Sequence, residues 1–184
     1  MTNVLQGLNV YLIGMMGTGK STVGHLLARQ LNYRFFDTDV LIERITQQSI
    51  SDLFATQGEP AFRRLETQVL AQLSAYTKSV IATGGGIVLQ QQNWSYLHHG
   101  LIVWLDAPAE LIVQRLADDQ TRPLLQSADR TAKITEILTQ RQHLYAEADL
   151  HAAISAQQSP QEICDRILEM IPTVLKKPQP ETLN

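Results

Sequence analysis

The sequence has one cysteine, no long apolar run and no excess of basic residues, and each shortage excludes a class of protein. Cys164 has no second cysteine for an internal disulfide, so nothing indicates an oxidising compartment. No run approaches the roughly 18 apolar residues of a membrane helix, and the N-terminus lacks a signal-peptide pattern. The 15 Lys and Arg residues are outnumbered by 18 Asp and Glu residues, which argues against a nucleic-acid-binding surface. We therefore predict a cytoplasmic protein with no nucleic-acid or membrane partner.

What the sequence does contain is an alternation of short apolar runs with segments of helical periodicity. The runs that are typical of buried strands span 8–13, 34–36, 79–82, 101–105 and 151–154. Such alternation is typical of an α/β fold, in which helices cover both faces of a parallel sheet. Because these elements account for nearly the whole chain, the sequence predicts a single domain over residues 1–172 with a five-stranded parallel sheet.

Three helices have boundaries that the sequence indicates. Apolar spacing predicts one helix that begins in a glycine-rich loop near residue 20 and another over residues 61–76. Ser159, Pro160 and Glu162 form a capping box with proline at the first helical position, and we expect this last helix to end before Pro172.

Two segments have no clear period. Residues 173–184 are polar and contain proline, so we expect a flexible C-terminal tail. Residues 118–131 form the longest irregular stretch inside the domain. Loops of this length are often mobile lids, and a plain surface connection is the alternative.

The strongest functional motif is GMMGTGKST, residues 14–22. Gly14, Gly19, Lys20 and Ser21 match the pattern G-x-x-x-x-G-K-S/T, with an apolar strand before it and an amphipathic helix after it. Glycines allow successive backbone N–H groups to point at phosphate oxygens, and the helix N-terminus adds partial positive charge. Lys20 would neutralise the terminal phosphates, and Ser21 would offer its hydroxyl to Mg²⁺. The motif predicts that a nucleotide is bound with its magnesium ion.

The class of nucleotide-binding protein is narrowed by what is missing. A regulatory GTPase needs a guanine-reading N-K-x-D segment, which the sequence lacks, and motors or large assembly ATPases need more than 184 residues. A small kinase is the most natural interpretation. Such an enzyme needs an acceptor site, a group that orients the acceptor hydroxyl and positive charge near the transferred phosphoryl group.

Three aspartates follow predicted strands. Asp37 and Asp39 stand where the second strand ends, and ligands of open parallel sheets bind at the carboxyl ends of strands. Either aspartate could instead cap the helix that starts near Val40, and one residue could do both. Asp106 closes the fourth strand just before Pro108, and we favour a helix-capping role for it over a role near magnesium.

Glycines and arginines supply further candidates for an anion site. The segment TGGG, 83–86, follows the third strand and exposes backbone N–H groups to close approach. Arginine guanidinium groups match carboxylate and phosphate oxygens two at a time. The arginines in segments that could converge are Arg63, Arg64, Arg115, Arg122 and Arg141.

Taken together, the motifs GMMGTGKST, DTD, GEPAFRRLE, ATGGG, RPLL and QRQHLY resemble those of the shikimate kinase family, over about residues 8–171. The resemblance implies a P-loop NTPase fold of nucleoside-monophosphate-kinase type with a lid. It also implies Mg²⁺-dependent transfer of the ATP γ-phosphoryl group to the 3-hydroxyl of shikimate, in the biosynthesis of chorismate and aromatic amino acids. A kinase of another small polyol acid, such as gluconate, and a non-catalytic regulatory protein remain as alternatives.

The resemblance further implies a role for individual residues of a monomeric enzyme. Lys20, Asp39 and Arg122 would be catalytic, Ser21 would bind Mg²⁺ and Asp37 would reach it through water. Glu66 would hold Arg63 from one helical turn away. At position 158 a glutamine stands where members of the family carry an arginine beside the adenine. The implied ATP-binding residues are Gly17, Thr18, Gly19, Lys20, Ser21, Thr22, Arg115, Arg122 and Gln158. The implied shikimate-binding residues are Asp39, Arg63, Gly84, Gly85, Gly86 and Arg141.

Overall fold

A computed structural model describes residues 4–117 and 129–175, and within these ranges the chain forms one five-stranded parallel sheet. This confirms the predicted α/β fold, and the predicted strand ends agree with the structure to within one residue. The strands are β1 (Asn9–Ile13), β2 (Arg34–Asp37), β3 (Ser79–Ala82), β4 (Gly100–Asp106) and β5 (Leu150–Ala153). Their order across the sheet is β2-β3-β1-β4-β5.

Strand β1 lies at the centre of the sheet, which explains why its sequence is apolar without alternation. All five of its residues are buried, because it pairs with β3 on one side and with β4 on the other. The chain leaves β1 at Gly14, where a Cβ atom would lie 2.4 Å from the carbonyl oxygen of Leu105. Only glycine fits there, so the phosphate-loop motif begins in close contact with β4.

Helices cover both faces of the sheet, as the sequence predicts. The alternation of β1 side chains divides the apolar core into two clusters. Val10 and Leu12 contribute to one, and Tyr11 and Ile13 contribute to the other. The α-helices are α1 (Lys20–Leu31), α2 (Thr38–Thr46), α3 (Ile50–Ser74), α4 (Gln91–Leu97), α5 (Ala109–Arg115), α6 (Arg130–Tyr145) and α7 (Pro160–Val174), and a short 3₁₀ turn covers Ile87–Leu89.

Two helix boundaries differ from the prediction. Helix α3 begins at Ile50 instead of residue 61, because an N-terminal segment precedes a break at Gly58. Helix α7 has the predicted capping box at Ser159, but the expectation that it ends before Pro172 is wrong, since the helix continues to Val174. Proline fixes a φ angle that is compatible with a helix, and its missing N–H removes only one intrahelical hydrogen bond, the one to the carbonyl of Leu168.

Parts of the two predicted irregular segments lie outside the described residues. Of the predicted lid, residues 118–128 are not described, and its last residues belong to α6, which Asp129 caps by accepting a hydrogen bond from the N–H of Ala132 at 2.9 Å. Of the predicted tail, residues 173–174 are helical and 176–184 are not described. Among the helices that are described, none combines the length and apolar character needed to cross a lipid bilayer.

Candidate active site

A cavity of about 470 Å³ opens at the carboxyl edge of the sheet. The glycine-rich loop and the start of α1 form one end of it, and α3, the segment after β3 and α6 form the other. The cavity brings together most of the predicted site residues. Those that line it are Gly17, Thr18, Gly19, Lys20, Ser21, Thr22, Asp37, Asp39, Arg63, Gly84, Gly85, Gly86, Arg115 and Arg141.

The loop before α1 is closed around the side chain of Lys20. Its Nζ donates hydrogen bonds to the carbonyl oxygens of Gly14 at 2.8 Å and Met15 at 2.7 Å. Gly17 and Gly19 have φ angles of 77° and 93°, in the region that favours glycine. The loop therefore holds an ammonium group at the N-terminus of α1, where the partial positive charge of the helix also favours an anion.

Asp37 caps α2, and its second carboxylate oxygen contacts the hydroxyl of Ser21. One carboxylate oxygen, Oδ1, caps α2 by accepting hydrogen bonds from the N–H groups of Asp39 at 3.0 Å and Val40 at 3.3 Å. The other oxygen, Oδ2, accepts a hydrogen bond from the hydroxyl of Ser21 at 2.6 Å. The described residues contain no group of three or more His, Cys, Asp or Glu side chains that could enclose a metal. A hydroxyl and a carboxylate oxygen are hard donors, and they suit Mg²⁺, which keeps several waters and few protein ligands.

The prediction that Asp106 caps the following helix is wrong. The N-cap of α5 is Pro108, which provides no side-chain hydrogen bond. The Asp106 carboxylate instead lies 2.8 Å from Nε2 of His151, on the neighbouring strand β5. The parallel register pairs Asp106 with Ala153 and Trp104 with His151, so Asp106 and His151 lie close together on adjacent strands. The carboxylate contacts His151 and does not cap the helix. Asp106 is also absent from the residues that line the cavity.

At the other end of the cavity, Arg63 is held between two glutamates of α3. Its Nη1 donates to Oε2 of Glu66 at 2.8 Å, while Nε and Nη2 donate to Oε1 of Glu59 at 3.1 and 3.0 Å. The contact predicted between Arg63 and Glu66 is thereby confirmed. A Cβ atom at Gly86 would lie 2.3 to 2.5 Å from three atoms of the guanidinium group, so Arg63 rests against the bare backbone of that glycine.

Glu66 is a fully buried carboxyl group beside a second carboxylate. Its Oε2 pairs with Arg63, and its Oε1 has no hydrogen-bond partner among the described residues. A Cβ atom at Gly84 would lie 2.5 Å from that Oε1 and 2.8 Å from Oδ1 of Asp39. Burial raises the pKa of Glu66 to about 7, and the nearby Arg63 guanidinium offsets only part of this effect.

Helix α6 contributes Arg141 and a residue that the motifs did not reveal. Nη1 of Arg141 donates to the carbonyl oxygen of Gly85 at 3.1 Å, and the Tyr145 hydroxyl donates to the same oxygen at 2.6 Å. The spacing of four residues in QRQHLY places both side chains on one face of the helix. That spacing was the only available signal for Tyr145, and it does not identify what the hydroxyl contacts.

Of the four remaining candidate residues, one lies at the cavity, two do not line it and one lies outside the described residues. Nη1 of Arg115 donates to the carbonyl oxygens of Gly17 at 3.3 Å and Thr18 at 3.2 Å. Arg64 does not join the cavity and lies in a shallow depression on the outer side of α3. Gln158 is not among the lining residues, and its Oε1 accepts a hydrogen bond from the N–H of Ser155 at 2.9 Å. Arg122 lies outside the described residues.

Comparison with known proteins gives matches along nearly the whole chain. A family model described as shikimate kinase matches residues 16–172. A shikimate kinase from Rippkaea orientalis is 61% identical over 94% of this chain and 92% of the relative. One from Microcystis aeruginosa is 58% identical over 97% and 94%, respectively. Among solved structures, shikimate kinase from Acinetobacter baumannii in complex with shikimate is 39% identical with a TM-score of 0.85, covering 90% of this chain and 93% of that one.

Proposed function

Because the chain belongs to the shikimate kinase family, it is an ATP-dependent shikimate kinase, and we propose that the cavity at the carboxyl edge of the sheet is its active site. The enzyme transfers the γ-phosphoryl group of ATP to the 3-hydroxyl of shikimate, giving shikimate 3-phosphate and ADP, in aromatic amino acid biosynthesis. The observation that supports the proposed location is that one cavity contains both the phosphate-loop lysine and the arginines Arg63 and Arg141.

In this proposal the glycine-rich loop binds ATP. Backbone N–H groups of residues 17–22 surround the phosphates, and Lys20 turns its ammonium from the loop carbonyls toward the terminal phosphates. Arg115 stays beside the loop, near the adenine, and the carboxamide of Gln158 contacts the base. Residues 118–131 act as a lid that brings Arg122 to the phosphates, within the single domain 1–172. Residues 173–184 have no part in the reaction.

Ser21 and Asp37 are the residues that would hold Mg²⁺, Ser21 directly and Asp37 through water. The 2.6 Å hydrogen bond between their side chains supports this assignment, because it places two hard oxygen donors together at the nucleotide end of the cavity. When bound, Mg²⁺ neutralises charge on the phosphate oxygens during transfer.

The acceptor binds at the end formed by α3, the glycines after β3 and α6. Arg63 and Arg141 bind the carboxylate of shikimate, and Gly84, Gly85 and Gly86 allow it to approach the backbone. Asp39 orients the 3-hydroxyl and accepts its proton as the oxygen attacks the γ-phosphorus. The exposed Glu59 and the buried Glu66 together hold the Arg63 guanidinium in place before shikimate arrives.

We further propose that the enzyme acts as a cytoplasmic monomer without nucleic-acid or membrane partners. The net charge of −3 supports the expected absence of a nucleic-acid partner, since a protein with an acidic excess repels a polyanion. Light scattering of the purified chain at several concentrations tests the monomer.

An acceptor panel tests the proposed function. ADP release from Mg-ATP is measured with shikimate, with gluconate, with a nucleoside monophosphate and with no acceptor. We expect shikimate alone to stimulate ADP release. Equal stimulation by gluconate would indicate a kinase of another polyol acid, and acceptor-independent ADP release would contradict an acceptor site altogether.

A pair of matched substitutions tests the magnesium assignment. Asp37→Asn keeps a good helix cap for α2 but removes the charge, so we expect the Mg²⁺ concentration for half-maximal activity to rise about tenfold or more. Asp106→Asn removes the same charge from a residue at the end of β4 that does not line the cavity, and it should leave this concentration unchanged. The assignment fails if the Asp106 variant, and not the Asp37 variant, needs the higher Mg²⁺ concentration for half-maximal activity.

A further inference from the structure

The hydroxyl of Tyr145 makes a partly buried hydrogen bond that none of the proposed roles explains. Tyr145 has no exposed surface, and its hydroxyl donates to the carbonyl oxygen of Gly85 at 2.6 Å. The same carbonyl accepts from Nη1 of Arg141 at 3.1 Å. Two donors one helical turn apart on α6 therefore hold a single carbonyl group of the segment that lines the acceptor end of the cavity.

Holding this carbonyl also sets the direction of the next N–H group. The Gly85–Gly86 peptide is trans, as are all the peptide bonds of the described chain, and in a planar trans peptide the C=O and the following N–H point in opposite directions. Since the Gly85 carbonyl is directed at α6, the Gly86 N–H is directed away from it. Within the described residues that N–H makes no hydrogen bond, so it is available to an anionic or hydroxyl group of the acceptor.

Glycine makes such anchoring necessary. Three consecutive glycines have wide backbone freedom, and a ligand would have to remove that freedom on binding. Gly84 is already fixed, because its N–H donates to the Thr38 hydroxyl at 3.0 Å. Tyr145 supplies the equivalent anchor for Gly85, and burial raises the pKa of its hydroxyl, which remains a donor at neutral pH.

The hydrogen bond from Tyr145 to the Gly85 carbonyl also affects what Arg141 can do. A guanidinium group that turns to bind a carboxylate weakens its bond to the Gly85 carbonyl, and a partly buried carbonyl that loses its donors is destabilising. Tyr145 keeps that carbonyl satisfied while Arg141 moves. Its ring packs separately, with its centroid 5.9 Å from that of Trp104, so the hydroxyl is not required for this packing.

We infer that Tyr145 is a positioning residue of the acceptor site: its hydroxyl holds the Gly85–Gly86 peptide so that the Gly86 N–H faces the acceptor and Arg141 is free to bind the carboxylate. The inference rests on the proposed function of the cavity. It adds a residue that touches neither substrate and acts through the backbone of the glycine segment.

The substitution Tyr145→Phe tests this inference, because it keeps the ring and removes the hydroxyl. We expect the KM for shikimate to rise up to about tenfold, as for the loss of one partly buried hydrogen bond, with the KM for ATP and kcat within about twofold of wild type. Tyr11→Phe is the matched control. Tyr11 is equally buried, but its ring lies by Gly100, at the end of the sheet opposite to the cavity. Removal of the Tyr11 hydroxyl should therefore change neither the KM for shikimate nor the KM for ATP.

The amide resonance of Gly86 provides a measurement that does not depend on the variant. In the wild-type enzyme, shikimate should shift this resonance, and an unshifted signal at saturation overturns the inference. An unchanged shikimate KM in Tyr145→Phe, or equal rises in both KM values, also overturns it and leaves the proposed function intact. Absence of shikimate-stimulated ADP release by the wild-type enzyme would instead overturn the proposed function.

Discussion

At the residue scale, Glu66 shows how burial changes the chemistry of a carboxyl group. It has no exposed surface and lies beside the carboxylate of Asp39, so its charged form loses hydration and meets a like charge. Arg63 compensates through the 2.8 Å hydrogen bond to Oε2, yet burial dominates and raises the pKa of Glu66 to about 7. The folded protein therefore binds a proton at Glu66 more tightly than the unfolded chain does.

Because the pKa of Glu66 is higher in the folded protein than in the unfolded chain, the stability of the protein should fall as pH rises. As pH rises from about 4.5 to about 7, the unfolded chain has already released the proton of Glu66, whereas the folded protein releases it at a cost. The free energy of unfolding of the wild type, relative to Glu66→Gln, should fall over this interval and level off above it. Denaturant titrations of both proteins across the interval measure this difference.

An exposed carboxyl group provides the control for that measurement. The hydrogen bond from Lys133 lowers the pKa of Glu136, so the stability of the wild type relative to Glu136→Gln should rise as pH rises to about 4.5 and then stay level, with no fall between about 4.5 and 7. A difference between wild type and Glu66→Gln that does not change with pH would contradict the raised pKa.

At the scale of elements, helix α3 is divided by Gly58 into two segments. Gly58 has φ 76° and ψ 167°, a conformation that is essentially limited to glycine, and Pro60 follows in the first turn of the second segment. The break places Glu59 at the start of that segment, one turn before Arg63. The direction of the second segment thus determines how Arg63 and Glu66 face the cavity.

Substitution of Gly58 should therefore affect both stability and the acceptor site. We expect Gly58→Ala to lower the free energy of unfolding by about 1–3 kcal/mol, because alanine is strained at these angles. The KM for shikimate should rise as well, since α3 has to adjust near Arg63. The neighbouring Gln57→Ala, at an exposed helical position, should change stability by less than about 0.5 kcal/mol. Equal effects of the two substitutions in urea denaturation would contradict a required break.

At the scale of the whole molecule, the two halves of the cavity are built from different parts of the chain. The proposed nucleotide end comes from β1 and α1, and the proposed acceptor end comes from α3, the segment after β3 and α6. Parallel pairing of β1 with β3 brings these parts to one edge of the sheet, because their carboxyl ends lie side by side. A ligand that binds there contacts elements that separate when the protein unfolds.

Both substrates should consequently stabilise the fold. A non-hydrolysable ATP analogue and shikimate, each at about 100 times its Kd, should each raise the free energy of unfolding by about 2.7 kcal/mol. Thermal unfolding with and without each compound measures the shift, and gluconate at the same concentration as shikimate is the control. A comparable shift with gluconate would argue against the acceptor selectivity that we propose for the cavity.

Local patterns in the sequence were sufficient for most of the fold, including the glycine-rich loop before α1. The five strands were predicted to within one residue, because each is a contiguous apolar run bounded by polar residues. The phosphate loop is contiguous as well. The contact between Arg63 and Glu66 followed from helical periodicity, which relates residues three apart on one face.

What the sequence determined by itself is what depends on neighbours in the chain: the strands, the phosphate loop and the capping box of α7. Tertiary structure alone decided the contacts that join residues far apart, 45 positions for Asp106 with His151 and 60 for Tyr145 with Gly85. The physical reason is that a side chain at a strand end or on a helix bonds to whichever group the sheet register and helix packing bring within reach, and no local pattern encodes that group.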